Sequence, residues 1–263
     1  ARRHDRAARW IDLRDPHAID LLFSGADALI HSAAAVGITG PPGSLTETNV
    51  DGTRAVIGRA AALGLDPMVY VSSVAIFVPP SSPTITVDSP LASPRTEYGR
   101  SKIAAERLVR SLQDDGAPIT VVYPGGVMGP GQPVLDAAME GLASALGRAW
   151  PMTSGGVGLI DVRDLALALA SCIETGLGPR RLLLGGHYVS WSDYATLCDG
   201  LTGVRCRRIP MPSLALRTLA TMLDAIKRVR PFHYPLTRDA AEIMASMVPT
   251  DDEPTLDALS LRL

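Results

Sequence analysis

The stretch PMVYVSS (67–73), followed after a proline-rich interval by TEYGRSKIAAERLVRSLQ (96–113), decides the fold. The first run is apolar and β-branched with no polar face, as a strand covered on both sides must be. The second repeats its apolar residues at helical spacing and reads as the crossover that follows. Working outward, ARWIDL (8–13), DALIHSA (27–33), ITVVYP (119–124) and RRLLLGG (180–186) share the strand character. ETNVDGTRAVIGRAAALG (47–64) and VRDLALALASCIETG (162–176) share the helical one. Strand and helix alternating from Arg9 to His187 predict an α/β fold on a parallel sheet. Beyond it, 190–203 and 213–229 read as helices of a smaller, mostly helical lobe.

At 263 residues and 46% apolar content, the chain has material for a full core. With 25 basic against 27 acidic residues the net charge is −2, which predicts no nucleic-acid partner and no polybasic membrane patch. The cysteines, Cys172, Cys198 and Cys206, lack metal-ligand spacing, and their odd number argues against a secreted disulfide framework. No metal and a cytoplasmic location are therefore expected. No apolar run approaches the ~20 residues of a membrane span, and the opening ARRHDRAARW has no signal-peptide core. FVPPSSPTITVDSPLASPR (77–95) is too rich in proline for regular structure and reads as a loop beside the site, of the kind that is often mobile.

The chemistry concentrates in Tyr98-Gly-Arg-Ser-Lys102, because residues four apart stand on one helical face. A phenol has an ordinary pKa of about 10, and a fixed cation beside it favours the phenolate, bringing it toward a useful acid–base range. Alone, the pair also fits a surface tyrosine beside a solvated lysine. Tyr70-Val-Ser-Ser73 supplies context: an apolar strand ends in two hydroxyls at the edge where open α/β sheets bind ligands. Either serine taken singly also fits a turn that satisfies its own backbone.

Taken together these segments resemble the extended short-chain dehydrogenase/reductases, the epimerases, dehydratases, and enzymes like dihydroflavonol reductase and 3β-hydroxysteroid dehydrogenase. Ile11-Asp-Leu-Arg-Asp15 is similar to the segment after that family's third strand, and Ala28-Leu-Ile-His-Ser-Ala-Ala34 to its next strand. Asn49-Val-Asp-Gly-Thr53 resembles the following helix start, Val71-Ser-Ser-Val-Ala-Ile-Phe77 the serine strand, and Tyr123-Pro-Gly-Gly-Val-Met-Gly-Pro130 the stretch closing over the nicotinamide. Ile160-Asp-Val-Arg-Asp-Leu-Ala166 resembles a later helix start. The resemblance implies a Rossmann-type doubly wound sheet and NAD or NADP as cofactor. It implies Ser73, Tyr98 and Lys102 as catalytic residues. It further implies Asp12, Leu13, Ser32, Ala33, Ala34, Pro124, Gly125 and Val127, with Tyr98 and Lys102, around the cofactor. The division it suggests is a dinucleotide-binding part, 1–130 continued by 157–187, and a substrate lobe, 131–156 and 188–263. A small or apolar alcohol or ketone is the expected substrate, and a homodimer is a common assembly in enzymes of this kind.

Several of these residues keep a plainer reading. Asp12 also fits a strand-end turn, His31 a core histidine with a backbone partner, Asn49 and Asp51 helix caps, and Gly125 and Gly126 a tight turn. Met128, Trp150, Met152, Trp191 and Tyr194 fit either a substrate pocket or a core. The glycine-rich strand–turn–helix that should open such a domain is not in the sequence, whose first strand corresponds to the family's third. The natural protein is expected to have it. A catalytically silent, nucleotide-responsive or partner-completed protein of the same fold is the alternative. Tyr123 stands where many relatives have arginine, in a neighbourhood expected to face the pocket.

Overall fold

The structure is a computed structural model that describes residues 12–13, 15–35, 44–94, 97–132, 137–230 and 236–263. The expected strand at 8–13 lies outside these residues except for its last two. Helix α1 (Pro16–Phe23) starts on Asp15, whose Oδ1 accepts from the His17 N–H at 2.9 Å, with Pro16 in the first turn, where its missing donor costs nothing. β1 (Leu29–His31) follows. The helix expected over 47–64 is composite: α2 (Ser44–Thr46), a π-helical turn (Glu47–Asp51) and α3 (Gly52–Ala62). β2 (Met68–Val71) runs through a short 3₁₀ turn (Val74–Phe77) to α4 (Glu97–Asp114) and β3 (Ile119–Pro124). The chain continues through β4 (Gly126–Met128), α5 (Ala137–Gly147), β5 (Trp150–Met152), β6 (Gly156–Asp161), α6 (Val162–Ser171) and β7 (Arg180–Leu184). It ends with β8 (His187–Ser190), α7 (Trp191–Thr202), β9 (Arg208–Pro210), α8 (Ser213–Val229), α9 (Arg238–Ser246) and α10 (Glu253–Leu259).

β1, β2, β3 and β7 form one parallel sheet in that order. Side chains alternate across a strand, and here both alternating sets are covered. Met68, Tyr70, Ile119 and Val121 pack with Ile19, Val56, Ile57, Ile103 and Val109 from α1, α3 and α4. Val69, Val122, Leu182 and Leu184 turn the other way, onto Leu165 and Ala168 of α6 and Leu256 and Leu259 of α10. Helices on both faces make the sheet doubly wound, which is why these strands have no polar face. Fully burying each such side chain is worth about 1.5–3 kcal/mol.

The chain's end returns to this sheet. Thr255 Oγ1 accepts from the Leu183 N–H at 2.9 Å, and the Asp252 carboxylate accepts from Gly185 and Gly186 N–H at 3.0 and 2.7 Å. These side chains occupy donors at and just beyond β7 that an open edge would expose. The proline-rich loop is held down by the same tail, since the Ile85 N–H donates to Pro249 O (2.9 Å) and the Asp251 N–H to Ile85 O (2.8 Å). Ile85, Phe77 and Val78 are buried, so the loop is packed on the core at its start and its middle.

Short strands missed by periodicity build two further sheets, β4-β6-β8 and β5-β9. Three residues with a central proline, as in Trp150-Pro151-Met152, carry no readable alternation. They are fixed by tertiary pairing: the Trp150 N–H donates to Arg207 O at 2.7 Å and the Met211 N–H to Met152 O at 2.9 Å. Between these sheets and α7, Trp150, Trp191, Tyr194, Cys198 and Cys206 form a separate apolar cluster. α7 starts on Ser190, whose Oγ accepts from the Asp193 N–H at 3.1 Å, and stops at Gly203 with φ 71°, a left-handed cap that glycine adopts without strain. α6 ends at Ser171, short of the expected 176.

Candidate active site

The registers His31 with Tyr70 and Val71 with Val122 bring the carboxyl ends of β1, β2 and β3 to a common edge. Ser32–Ala34, Ser72–Ser73 and Gly125 therefore leave the sheet together, where open α/β sheets place ligands. α4 starts beside that edge. Its Lys102 side chain is buried and reaches Val71 O at 3.5 Å, with Nζ 5.5 Å from the centre of the Tyr70 ring. Tyr98 lies one turn earlier and half-buried, and its carbonyl accepts from Ser101 Oγ at 2.8 Å.

Asn49 locks this arrangement, which sequence reading missed by treating it as a helix start or cap. Its buried amide accepts from the Ala35 N–H at 2.7 Å and donates to Ala35 O and Ser101 Oγ, both at 3.0 Å. One side chain thus ties the loop after β1 to the first turn of α4. Asp51 caps nothing and pairs with Arg54.

The two serines are not equivalent. Ser72 is buried and donates to Glu106 Oε2 at 2.8 Å. Ser73 is half-buried and accepts from the Ala75 N–H at 3.2 Å, which uses its oxygen and leaves its proton for another acceptor. Ser73 is accordingly the serine that can donate into the site.

Burial draws the Lys102 ammonium down to about 8, with the Glu106 carboxylate opposing the change. His31, stacked on Tyr70 with centroids 5.9 Å apart, is pulled to about 4 by burial and then by the Lys102 charge, and so is neutral at pH 7. It is the expected core histidine, although its partner is the Thr53 hydroxyl (Nε2 to Oγ1, 3.2 Å) rather than backbone. Burial and the neighbouring Glu106 push the Tyr70 phenol far up, which keeps it protonated.

Of the residues expected around a cofactor, Ser32, Ala33 and Ala34 are exposed at the strand edge. Pro124 is buried at the end of β3, and Gly125 stands where a Cβ would collide with Gly185 O. Asp12 is exposed, its carbonyl accepting from the Asp15 N–H at 3.0 Å, while Leu13 packs against Gly52 and the core. Val127 lies on β4, in the separate sheet, and is exposed. Tyr123 corrects an expectation: its side chain is wholly buried against Phe77 and donates to Glu106 Oε1 at 2.6 Å, so it does not face a pocket. Trp150, Trp191 and Tyr194 are core, with Met128 and Met152 packed on them. Among the described residues no cluster of metal ligands exists.

Sequence comparison meets this geometry at the family level. A family model described as the NAD dependent epimerase/dehydratase family matches residues 1–185. The chain belongs to that family. Among its relatives, the sterol demethylase protein B of Methylococcus capsulatus is 28% identical over 230 residues, covering 82% of this chain and 67% of the relative. An uncharacterized protein, y4nG of Sinorhizobium fredii, is 26% identical over 233 residues, covering 83% of this chain and 56% of its own length. The chain thus spans little more than half of one relative and two thirds of the other. The fold of this family member is shared with the UDP-glucuronic acid 4-epimerase of Bacillus cereus, solved with UDP-glucuronic acid and NAD (TM-score 0.73, 15% identity, 96% of this chain and 74% of that one). Among the described residues no helix is long and apolar enough to cross a membrane.

Proposed function

We propose that this protein performs NAD-dependent oxidation or reduction at a hydroxyl or carbonyl carbon, with Ser73, Tyr98 and Lys102 handling the proton. The observation that carries the reading is Lys102: a buried ammonium at the ends of the parallel strands, one helical turn from Tyr98, whose hydrogen bond among the described residues is a long one to Val71 O. An ammonium has three donors, so this one retains capacity for the hydroxyls of a ribose. The small exposed side chains of Ser32–Ala34 leave room along the same edge. These residues fit NAD, which supplies the hydride acceptor or donor when bound. Lys102 holds the ribose and favours the Tyr98 phenolate. Tyr98 takes the proton of an alcohol or returns one to a carbonyl, and Ser73 donates to the same oxygen and orients it.

The division into a nucleotide-binding part (1–130 and 157–187) and a substrate lobe (131–156 and 188–263) belongs to this reading, with residues 249–263 packed against the parallel sheet. An apolar, sterol-like alcohol or ketone is the substrate class we favour. The match to the sterol demethylase protein covers 82% of the chain and so extends past residue 185, where the family model stops. The test is NADH formation from NAD with a panel of 3-hydroxysteroids and, separately, UDP-sugars, in the parent and in Tyr98→Phe. Steroid-dependent turnover that falls about 10²–10⁴-fold in Tyr98→Phe is expected; undiminished turnover in that variant removes the assigned proton carrier.

A further inference from the structure

A buried polar cluster lies one turn beyond Lys102. Glu106 is completely buried, and both of its oxygens are engaged: Oε2 accepts from Ser72 Oγ (2.8 Å), and Oε1 accepts from Tyr123 OH (2.6 Å) and Arg110 Nε (2.7 Å). Arg110 closes the cluster by donating from Nη2 to Tyr123 OH at 3.2 Å. A carboxylate withdrawn from water costs several kcal/mol unless donors surround it, and here three elements supply them. Ser72 lies just beyond β2, Tyr123 is on β3 and Arg110 is on α4. Ser72 also immediately precedes Ser73, and Glu106 stands four residues from Lys102 on the face of α4 turned toward the sheet.

We propose that Glu106 is a positioning residue of the active site: its carboxylate fixes the end of β2 against α4 and acts on Lys102 one helical turn away. The proposal rests on the Ser73–Tyr98–Lys102 reading. Among the described residues, the charged and titratable groups that bear on Lys102 are few. His31 on β1 is neutral at pH 7, and burial keeps Tyr70 on β2 and Tyr123 on β3 protonated. On α4 itself stand Tyr98, Glu106 and Arg110, with the Arg110 guanidinium bound to Glu106. Glu106 is the anion in this set. Without it the burial that already draws Lys102 to about 8 would act unopposed.

The chain offers a direct readout, because Lys102 and Lys227 are its two lysines. Protein labelled with lysine carrying ¹³C at Cε gives two side-chain signals, assigned with Lys227→Arg and titrated by NMR without NAD or substrate. In Glu106→Gln the Lys102 midpoint should fall by about one unit or more, Glu106→Asp should recover most of that fall, and Lys227 should not move. Arg110→Gln, at a partly exposed position, is the variant that keeps the test alive if Glu106→Gln does not fold. It strips the carboxylate of its compensating cation while Ser72 and Tyr123 remain, so the Lys102 midpoint should rise. A folded Glu106→Gln or Arg110→Gln protein whose Lys102 titrates as in the parent overturns the proposal, because a merely structural glutamate would leave that midpoint in place. The catalytic reading fails by a different result, unaltered turnover in Tyr98→Phe, which the titration does not touch.

Discussion

Two buried clusters in this protein are built on opposite terms. Around the carboxyl end of β2, Lys102, Glu106, Ser72 and Tyr123 are removed from water and held by hydrogen bonds to one another and to backbone. Around α7, Trp150, Trp191 and Tyr194 are buried by contact, ring on ring at centroid distances of 5.4–6.3 Å, with few polar atoms to satisfy. The aromatic cluster gains stability in proportion to its area. The polar one gains little net stability, since desolvation offsets most of what its bonds return. A fold that nevertheless buries an ammonium and a carboxylate at the edge where open α/β sheets place ligands concentrates perturbed groups where chemistry is expected. Stability should therefore respond most to the aromatic cluster and proton handling to the polar one.

Trp191→Ala should show the largest separation. It opens a cavity and removes the indole N–H that donates to Met244 O at 2.8 Å, so chemical denaturation should report a loss of about 3–5 kcal/mol. NADH affinity of the folded variant should be retained, and a collapse of that affinity would mean the aromatic cluster is no mere scaffold. Next is His31. Its folded-state pKa of about 4 lies below the ordinary 6.5, so the unfolded chain binds the extra proton first as pH drops. Its contribution to stability is complete above 6.5 and is lost as pH falls toward 4, by about 3 kcal/mol. His31→Gln should remove that slope from denaturation midpoints measured between pH 4 and 7; an unaltered slope would assign acid lability elsewhere. The adjacent serines should divide the two effects. Ser72→Ala leaves a buried carboxylate short of a donor and should cost about 1–3 kcal/mol of stability. Ser73→Ala should cost less than that and lower turnover on the order of 10²-fold. Equal effects in the two variants would erase the distinction drawn between them.

The polar cluster was far more legible in the sequence than the aromatic one. Tyr98 and Lys102 announce themselves through a spacing of four on a helix, and Ser73 through its place at the end of an apolar strand. The same spacing extends to Glu106, and a glutamate in register with two site residues on a sheet-facing stripe was the available signal for the network that was overlooked. Asn49 offered less, because its partners, Ala35 and Ser101, are 14 and 52 residues away. The parallel strands were readable because burial on both faces leaves uninterrupted apolar runs. β5 and β9 were not, since three-residue strands containing proline owe their existence to each other. Trp150, Trp191 and Tyr194 have a composition that serves a pocket or a core equally well, and only their mutual packing decides for the core.

The most direct test of the account is the dissociation constant of NADH, measured by fluorescence titration at pH 7 for the parent protein and for Lys102→Met. A hydrogen bond from a buried ammonium is worth about 1.5–3 kcal/mol, so affinity should weaken by about tenfold or more in the variant while its fold, judged by circular dichroism, is kept. An unchanged constant in a folded Lys102→Met protein would contradict the assignment of Lys102 to the cofactor and, with it, the reading of this edge of the sheet as the active site.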